Sequence, residues 1–449
     1  MAEAAIDNVA RETGAWSEGS MPLTPWRRSS YRLAALFAAL LCIGLVLVGS
    51  ASAGSGDFAS SLIRRLTWTV IGGAALAIGC AVNYQVWRRH HVALVILAFV
   101  LLAFVLAPGI GARINNARRW IRLGPIGVQP SEFAKIALLI WLAAYCERNM
   151  PAAGRGAGKG RLSTFKRGFL VPLSIVGMAS FLVLCEPDFG TSLLMGTVCV
   201  GVMLVCGTRL VYVLLAGMVA LPMLQVLVLN SPYRLQRVLT FLDPWGDPQG
   251  AGYQLVQSMI AIGSGGFAGK GLGMGIQKMG FLPGASNDFI FSILAEELGF
   301  IGAVLVIGVY LWLMWEGLKV ALRARDAFGF ALAFGISTLI GLQAAVNIAV
   351  TTGSVPTKGL SLPFLSAGGS SLFFSMWAAG ILINIARSEE TPERFKLAAW
   401  YLDIPAYEHA LARLLRRAGE TSSNAVLRAR ARKAPRRTSA SGRDKRTGE

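Results

Sequence analysis

Apolar runs of about twenty residues recur from Arg32 to Arg387, and nothing else in the chain constrains its fold as strongly. A helix of ~20 residues crosses a hydrocarbon core of ~30 Å. Inside that core each backbone N–H and C=O must be paired within its own segment. Repeated runs therefore predict an all-α polytopic membrane protein. With 54% hydrophobic and 15% charged residues, the 449-residue chain is far too apolar for a soluble multidomain protein. About ten membrane helices are expected, near 32–51, 67–87, 91–110, 130–146, 168–186, 188–207, 210–229, 287–315, 327–351 and 370–387. The first run lacks a small-residue cleavage site and reads as a retained helix.

Basic residues then set direction. "PWRRSSYR" before the first run, "RRHH" at 88–91, "GRGAGKGRLSTFKRG" at 154–168, "KVALRARD" at 319–326 and the tail all fall on one side if ten helices alternate. That side is the cytoplasm, so both termini lie inside. The chain divides into a cytoplasmic segment 1–31, a transmembrane domain 32–387 and a basic tail 388–449. The tail stretch "RARARKAPRRTSASGRDKR" is poor in apolar residues and reads as disordered. An anionic leaflet explains its charge, and no nucleic-acid-binding motif accompanies it.

Cys42, Cys80, Cys146, Cys185, Cys199 and Cys206 all sit in or beside apolar runs, so no disulfide framework is expected. The His90/His91 pair follows Arg88 and Arg89 at a helix end and reads as a juxtamembrane anchor rather than a metal site.

The outer segments are 111–129, 230–287 and 352–369, the second forming a long extracytoplasmic loop between helices 7 and 8. The first carries Arg113, Arg118, Arg119 and Arg122 where arginine should be sparse. The long loop adds Arg234, Arg237, Lys270 and Lys278. Long loops translocate regardless of charge, but the short arginine-rich one needs another reason. Guanidinium groups form bidentate bonds to phosphate oxygens, so a phosphate-bearing lipid at the outer face fits.

Acids inside apolar segments are the counterpart. Asp288 stands at the mouth of one, in "NDFIFSILAEELGF", with Glu296 and Glu297 deeper in. From the residues alone Asp288 reads either as a helix N-cap or as a base at the water–membrane boundary. Glu296 lies ~12 Å further along a helix, at ~1.5 Å per residue, too far to share one substrate hydroxyl with Asp288. Both glutamates read as structural or cavity-shaping. In "QPSEFAK", Pro130 and Ser131 open a helix, and Glu132 and Lys135 share one face as an ion pair. "EPDFGTS" at 186–192 is a tight outer turn or a cavity element, and "LSLPFLSAGGSS" at 360–371 a cavity-lining loop. "GSGGFAGKGLGMG" has a phosphate loop's composition without its spacing.

Three blocks, at 115–135, 253–300 and 356–372, resemble the SEDS family, the group of FtsW, RodA and SpoVE. "QK", "FLP" and "PTKGL" are most similar to the division branch, FtsW. The resemblance implies a peptidoglycan glycosyltransferase that polymerises lipid II into β-1,4-linked strands at the outer face of the bacterial cytoplasmic membrane, at the division septum. It implies a class B penicillin-binding protein and other divisome membrane proteins as partners. Its essential acid maps onto Asp288, although Asn287 replaces a usual Thr and "GAS" a Glu-x-His. Substrate contacts are implied for Arg118, Arg119, Glu132, Lys135, Lys358 and Ser366. Gln129, Ser131, Gln254, Gln257, Glu296 and Glu297 are implied supports. Lys135 is expected to pair with Asp288. No cofactor is evident; a divalent cation could neutralise pyrophosphate, though no acidic cluster with ligand spacing stands outside. A lipid II flippase, a RodA-type elongation polymerase and a scaffold are the alternatives. No internal repeat of the transporter kind supports the flippase.

Overall fold

The computed structural model describes residues 25–52, 58–108, 111–114, 117–123, 126–150 and 161–388. The N-terminal segment up to residue 24 and the tail from residue 389 lie outside the described residues.

Helices dominate: α1 Pro25–Ser52, α2 Phe58–Ala81, α3 Tyr84–Arg89, α4 His91–Leu106, α5 Pro130–Asn149, α6 Val171–Cys185, α7 Phe189–Val205 and α8 Leu210–Leu229. After them come α9 Pro232–Leu242, α10 Tyr253–Gly265, α11 Ile290–Arg323, α12 Ala327–Thr351 and α13 Gly369–Ser388. Among the described residues, seven helices are long and apolar enough to cross a membrane: α1, α2, Phe165–Cys185, α8, α11, α12 and α13. α4 and α7 are apolar but shorter. α5 is the polar exception, carrying Glu132, Lys135, Glu147 and Arg148. The chain is a multi-pass membrane protein.

Side chains set the helix starts. Pro130 opens α5, where its missing N–H costs nothing. Asp188 caps α7 by accepting from Thr191 N at 3.1 Å, and Asp326 caps α12 by accepting from Gly329 N at 2.6 Å. α12 is the buried centre, touching α5, α7, α11 and α13, and α13 packs along α2.

Several expectations need correction. α2 begins at Phe58, not near 67, because Arg65 does not mark a helix end. It is 2% exposed and donates to the carbonyls of Phe364 and Ser366. Outer segment 111–129 holds a three-stranded antiparallel sheet, β1 Gly111–Ile114, β2 Ala117–Leu123 and β3 Ile126–Val128, with Ile121 opposite both Gly111 and Val128. The stretch 230–287 contains α9 and α10, and α10 packs on α11.

The greatest departure is inside α11. Its helix breaks at Gly299 (φ 67°, ψ −165°), a conformation open to glycine alone. The loop after α10 closes the break: Lys270 N donates to Glu296 O, Gly271 N to Glu297 O, and Phe300 N to Gly266 O. A Cβ on Gly269 would collide with the Glu297 carbonyl. Lys270 and Lys278, which the sequence places in the long outer loop, turn to the glutamates. Lys270 Nζ meets Glu296 Oε1 at 2.8 Å and Lys278 Nζ meets Glu297 Oε1 at 2.7 Å. Ser50 Oγ of α1 donates to the same Glu297 oxygen at 2.6 Å. Both carboxylates are wholly buried, so each pairs with its own lysine and neither opens on the outer surface.

Candidate functional site

Asp288 ends the turn that precedes α11. The N-cap of that helix is Phe289, and the Asp288 carboxylate makes no hydrogen bond among the described residues, so it is not a cap. Its backbone is fixed from two sides. Asn347 Nδ2, from α12, donates to Asp288 O at 2.8 Å and to Leu360 O at 2.6 Å. Ser366 Oγ donates to Asn287 O at 2.6 Å and accepts from Leu362 N at 2.7 Å. Ala367 N reaches Ser286 O at 2.9 Å. The segment 360–367 is thus a strap laid across the turn that carries the acid.

The strap is itself tied down. Arg65 donates to Phe364 O and Ser366 O, and Tyr310 Oη to Pro363 O. Gln343 Nε2 donates to Ser361 O at 2.9 Å. Phe364 is held at φ 68°, a strained value for a bulky residue, packed on Phe37 at 5.1 Å between ring centroids. Strain of this kind persists only where surrounding contacts over-determine it. Arg65→Met should release Phe364 and Ser366 together, lowering the activity of the site at least about tenfold while membrane insertion continues, a loss of the size expected for a mispositioned site. Full activity in a membrane-inserted Arg65→Met protein would show that the strap needs no clamp.

Charge gathers around the Asp288 carboxylate. Burial, and then the nearby Asp188, push its pKa up to about 6, against the opposing pull of Arg237 and Arg119. Gly359 lies close enough that a Cβ there would sit 3.0 Å from Oδ2. Next to it, Lys358 Nζ stands 5.0 Å from the centre of the Phe189 ring, which Arg234 also covers at 5.9 Å. Burial lowers the Lys358 pKa. Arg237, on α9, donates to Thr357 O at 3.0 Å and stacks on Tyr233. Asp188 accepts from Thr191 Oγ1 at 3.0 Å and Gln129 Nε2 at 3.2 Å. Arg119, on β2, donates through Nε to Glu186 O at 2.9 Å and through one terminal nitrogen to Pro187 O. Two acids, Asp288 and Asp188, therefore share one electrostatic neighbourhood with Arg119 and Arg237, and Lys358 borders it.

Of the residues singled out in the sequence, Asp288, Arg119, Gln129, Lys358 and Ser366 belong to this neighbourhood. Lys135 does not pair with Asp288. Its Nζ lies 2.9 Å from Glu132 Oε2 and 2.9 Å from Gln343 Oε1, and it reaches the strap only through Gln343. Lysine and glutamate are both buried, and a mutual pair is how such charges persist in a membrane interior. They line a pocket with Ile340, Pro363, Phe374 and Ser375 that has room for about one water molecule. Ser131 Oγ is buried beside this helix start without a partner. Arg118 pairs across the sheet with Arg113 in backbone register, and its side chain bonds to none of the described residues. Gln254 and Gln257 sit on α10 and make no hydrogen bond among the described residues. No three His, Cys, Asp or Glu side chains among the described residues are grouped to hold a metal ion.

The sequence reading passed over Arg65, Gln343 and Asn347. The two amides stand four residues apart inside an apolar run, one turn of one helix face, and uncompensated polar groups at that depth are themselves a signal.

Residues 31–391 match the model of the family FtsW/RodA/SpoVE, described as cell cycle proteins. The chain is 42% identical over 369 residues to the probable peptidoglycan glycosyltransferase FtsW of Trichlorobacter lovleyi, covering 81% of this chain and 94% of that protein. It is 40% identical over 353 residues to stage V sporulation protein E of Bacillus subtilis, covering 78% and 94%. Its fold is similar to a chain of a peptidoglycan synthase complex that coordinates polymerisation and crosslinking, with TM-score 0.67, 28% identity and 81% and 98% covered. It is also similar to the rod shape determining protein RodA of Thermus thermophilus, with TM-score 0.59, 27% identity and 80% and 97% covered.

Proposed function

The chain belongs to the FtsW/RodA/SpoVE family of cell cycle proteins, and from that premise we propose that it is a peptidoglycan glycosyltransferase with Asp288 as its general base. The substrate is lipid II, the disaccharide-peptide carried on a polyprenyl pyrophosphate. A hydroxyl of the acceptor sugar attacks the anomeric carbon of the donor sugar. The new glycosidic C–O bond forms as the bond from that carbon to the pyrophosphate oxygen breaks. Asp288 takes the hydroxyl proton, and the pyrophosphate departs on its lipid.

One observation carries this reading. The Asp288 carboxylate makes no hydrogen bond among the described residues, its pKa is raised to about 6, and Arg237 and Arg119 act on it. A base is most effective when its pKa lies near the working pH. Arg119, Arg237 and Lys358 are the groups suited to the leaving pyrophosphate, since they hold positive charge where negative charge develops. Arg118 is also expected from the sequence to contact the pyrophosphate, and its side chain makes no bond among the described residues.

In this reading α4, α5 and α7 join the seven longer helices as ten membrane crossings, with the sheet, the strap and Asp288 on the outer face and both termini in the cytoplasm. The location is the bacterial cytoplasmic membrane, at the division septum. The partners are a class B penicillin-binding protein, which would crosslink the strands, and other divisome membrane proteins.

The test is elongation of lipid II by the purified chain in detergent, with and without its class B partner. No second leaflet exists there, so a transporter yields no polymer. The pH profile is a second check. Asp288 must be ionised to accept a proton, so kcat/KM should halve near pH 6 and fall about tenfold per unit below it. A profile flat from pH 7 to 5 would remove Asp288 from the proton transfer.

A further inference from the structure

Glu186 has no part in the mechanism above, yet its placement is unusual. It follows the last residue of α6, outside the membrane-spanning segment, and its side chain is 0% exposed. Both carboxylate oxygens lack a hydrogen-bond partner among the described residues. A buried polar group left unpaired is costly, and an unpaired buried charge more so. The backbone of this residue is by contrast firmly held, since Arg119 donates to the carbonyls of both Glu186 and Pro187. Two residues on, Asp188 faces Asp288 electrostatically.

We infer that Glu186 is a positioning residue of this site, acting through Arg119: as a neutral acid it leaves the guanidinium free for a substrate pyrophosphate, and once ionised it claims that guanidinium for itself. The inference rests on the function proposed above for its substrate, and on the geometry for everything else.

Arg119 commits Nε and one terminal nitrogen to the two carbonyls, so its second terminal nitrogen is the part of the fork left over. A pyrophosphate and an ionised Glu186 would compete for it. The charged groups acting on Glu186 are Asp188, on its own turn, and Arg119, from β2. Burial comes first among the causes, then Asp188, and together they raise its pKa to about 8 while Arg119 opposes them. The acid is therefore neutral below that value and ionises above it. Its carboxyl lies within electrostatic reach of a guanidinium it does not bond, whose remaining terminal nitrogen is open to another anion.

Direct binding of inorganic pyrophosphate to the detergent-solubilised full chain tests this between pH 6.5 and 9.5. The comparison is wild type against Glu186→Gln, which has the shape of the neutral acid without its proton. Taking the ratio of the two affinities cancels titration of the probe itself. We expect that ratio to favour the variant increasingly above pH 8, reaching about tenfold by pH 9, within the usual range for coupling between two sites. In an Arg119→Gln background the same substitution should leave the pH dependence unchanged, because the shared guanidinium is gone. Thermal midpoints of all four proteins confirm that each is folded. Parallel pH profiles in wild type and Glu186→Gln overturn the inference, and so does a pH effect that survives without Arg119. Lipid II polymerisation on the same preparations reads separately. No polymer alongside pH-dependent pyrophosphate binding sinks the polymerase function and keeps the Glu186 inference; polymer alongside parallel profiles does the reverse.

Discussion

Asp288→Asn should leave a folded, membrane-inserted protein that polymerises lipid II ~10²–10⁴-fold more slowly, the usual contribution of a general base. The substitution keeps the size of the side chain and removes its ability to take a proton. The fold should tolerate it, because the helix start depends on Phe289 and the turn is held through its backbone carbonyls by Asn347 and Ser366. Substrate binding should persist, since Arg119, Arg237 and Lys358 are untouched. Glycan length is the readout, with expression and partner binding matched. Polymer at near wild-type rate would clear Asp288 of any chemical part, and attention would move to Asp188, the other acid in the same field.

Breaking the buried pair between Lys278 and Glu297 should be the most damaging change to stability. The lysine and glutamate side chains are 1% and 0% exposed, with Ser50 completing the triad at 2.8 Å from the lysine. Glu297→Ala would strand an almost fully buried ammonium, at a cost of about 3–5 kcal/mol. Replacing both partners, as in Lys278→Met with Glu297→Leu, should recover most of that loss, because no charge is then left unpaired. Unfolding in detergent, followed by the thermal midpoint or by denaturant titration, separates the cases. A double variant no better than Glu297→Ala would mean that packing of the loop against Gly275, not charge, sets the cost.

The sequence exposed the scaffold readily and the site only in part. Apolar runs mark helices because the bilayer demands them, whatever the neighbours are. Asp288, Arg119 and Ser366 stand in blocks whose resemblance to a family carried them. The partner of Lys135 did not follow from spacing, since Gln343 is 208 positions away and nothing local specifies the contact. The role of Arg65 was hidden for the same reason: a cation at the edge of an apolar run looks like a helix end until the carbonyls that receive it are known. Lys270 and Lys278 misled in the opposite sense. They were counted as outward charge, but a break at Gly299 lets their loop sink against two glutamates, and a break of one residue leaves little mark on hydropathy.

The strap over Asp288 has a consequence for the order in which the protein becomes an enzyme. Arg65 is made early, Asp288 much later, and Phe364 and Ser366 later still, yet Arg65 has no carbonyls to bind until those last residues exist. During synthesis the acid is therefore made before the residues that fix its turn. A nascent chain stopped before the strap would already carry Asp288, Arg119, Asp188 and Asn347, but its catalytic turn would lack the Ser366 and Ala367 contacts and Arg65 would lack its carbonyl partners. Full restraint of the catalytic turn is thereby deferred until the strap residues have been made.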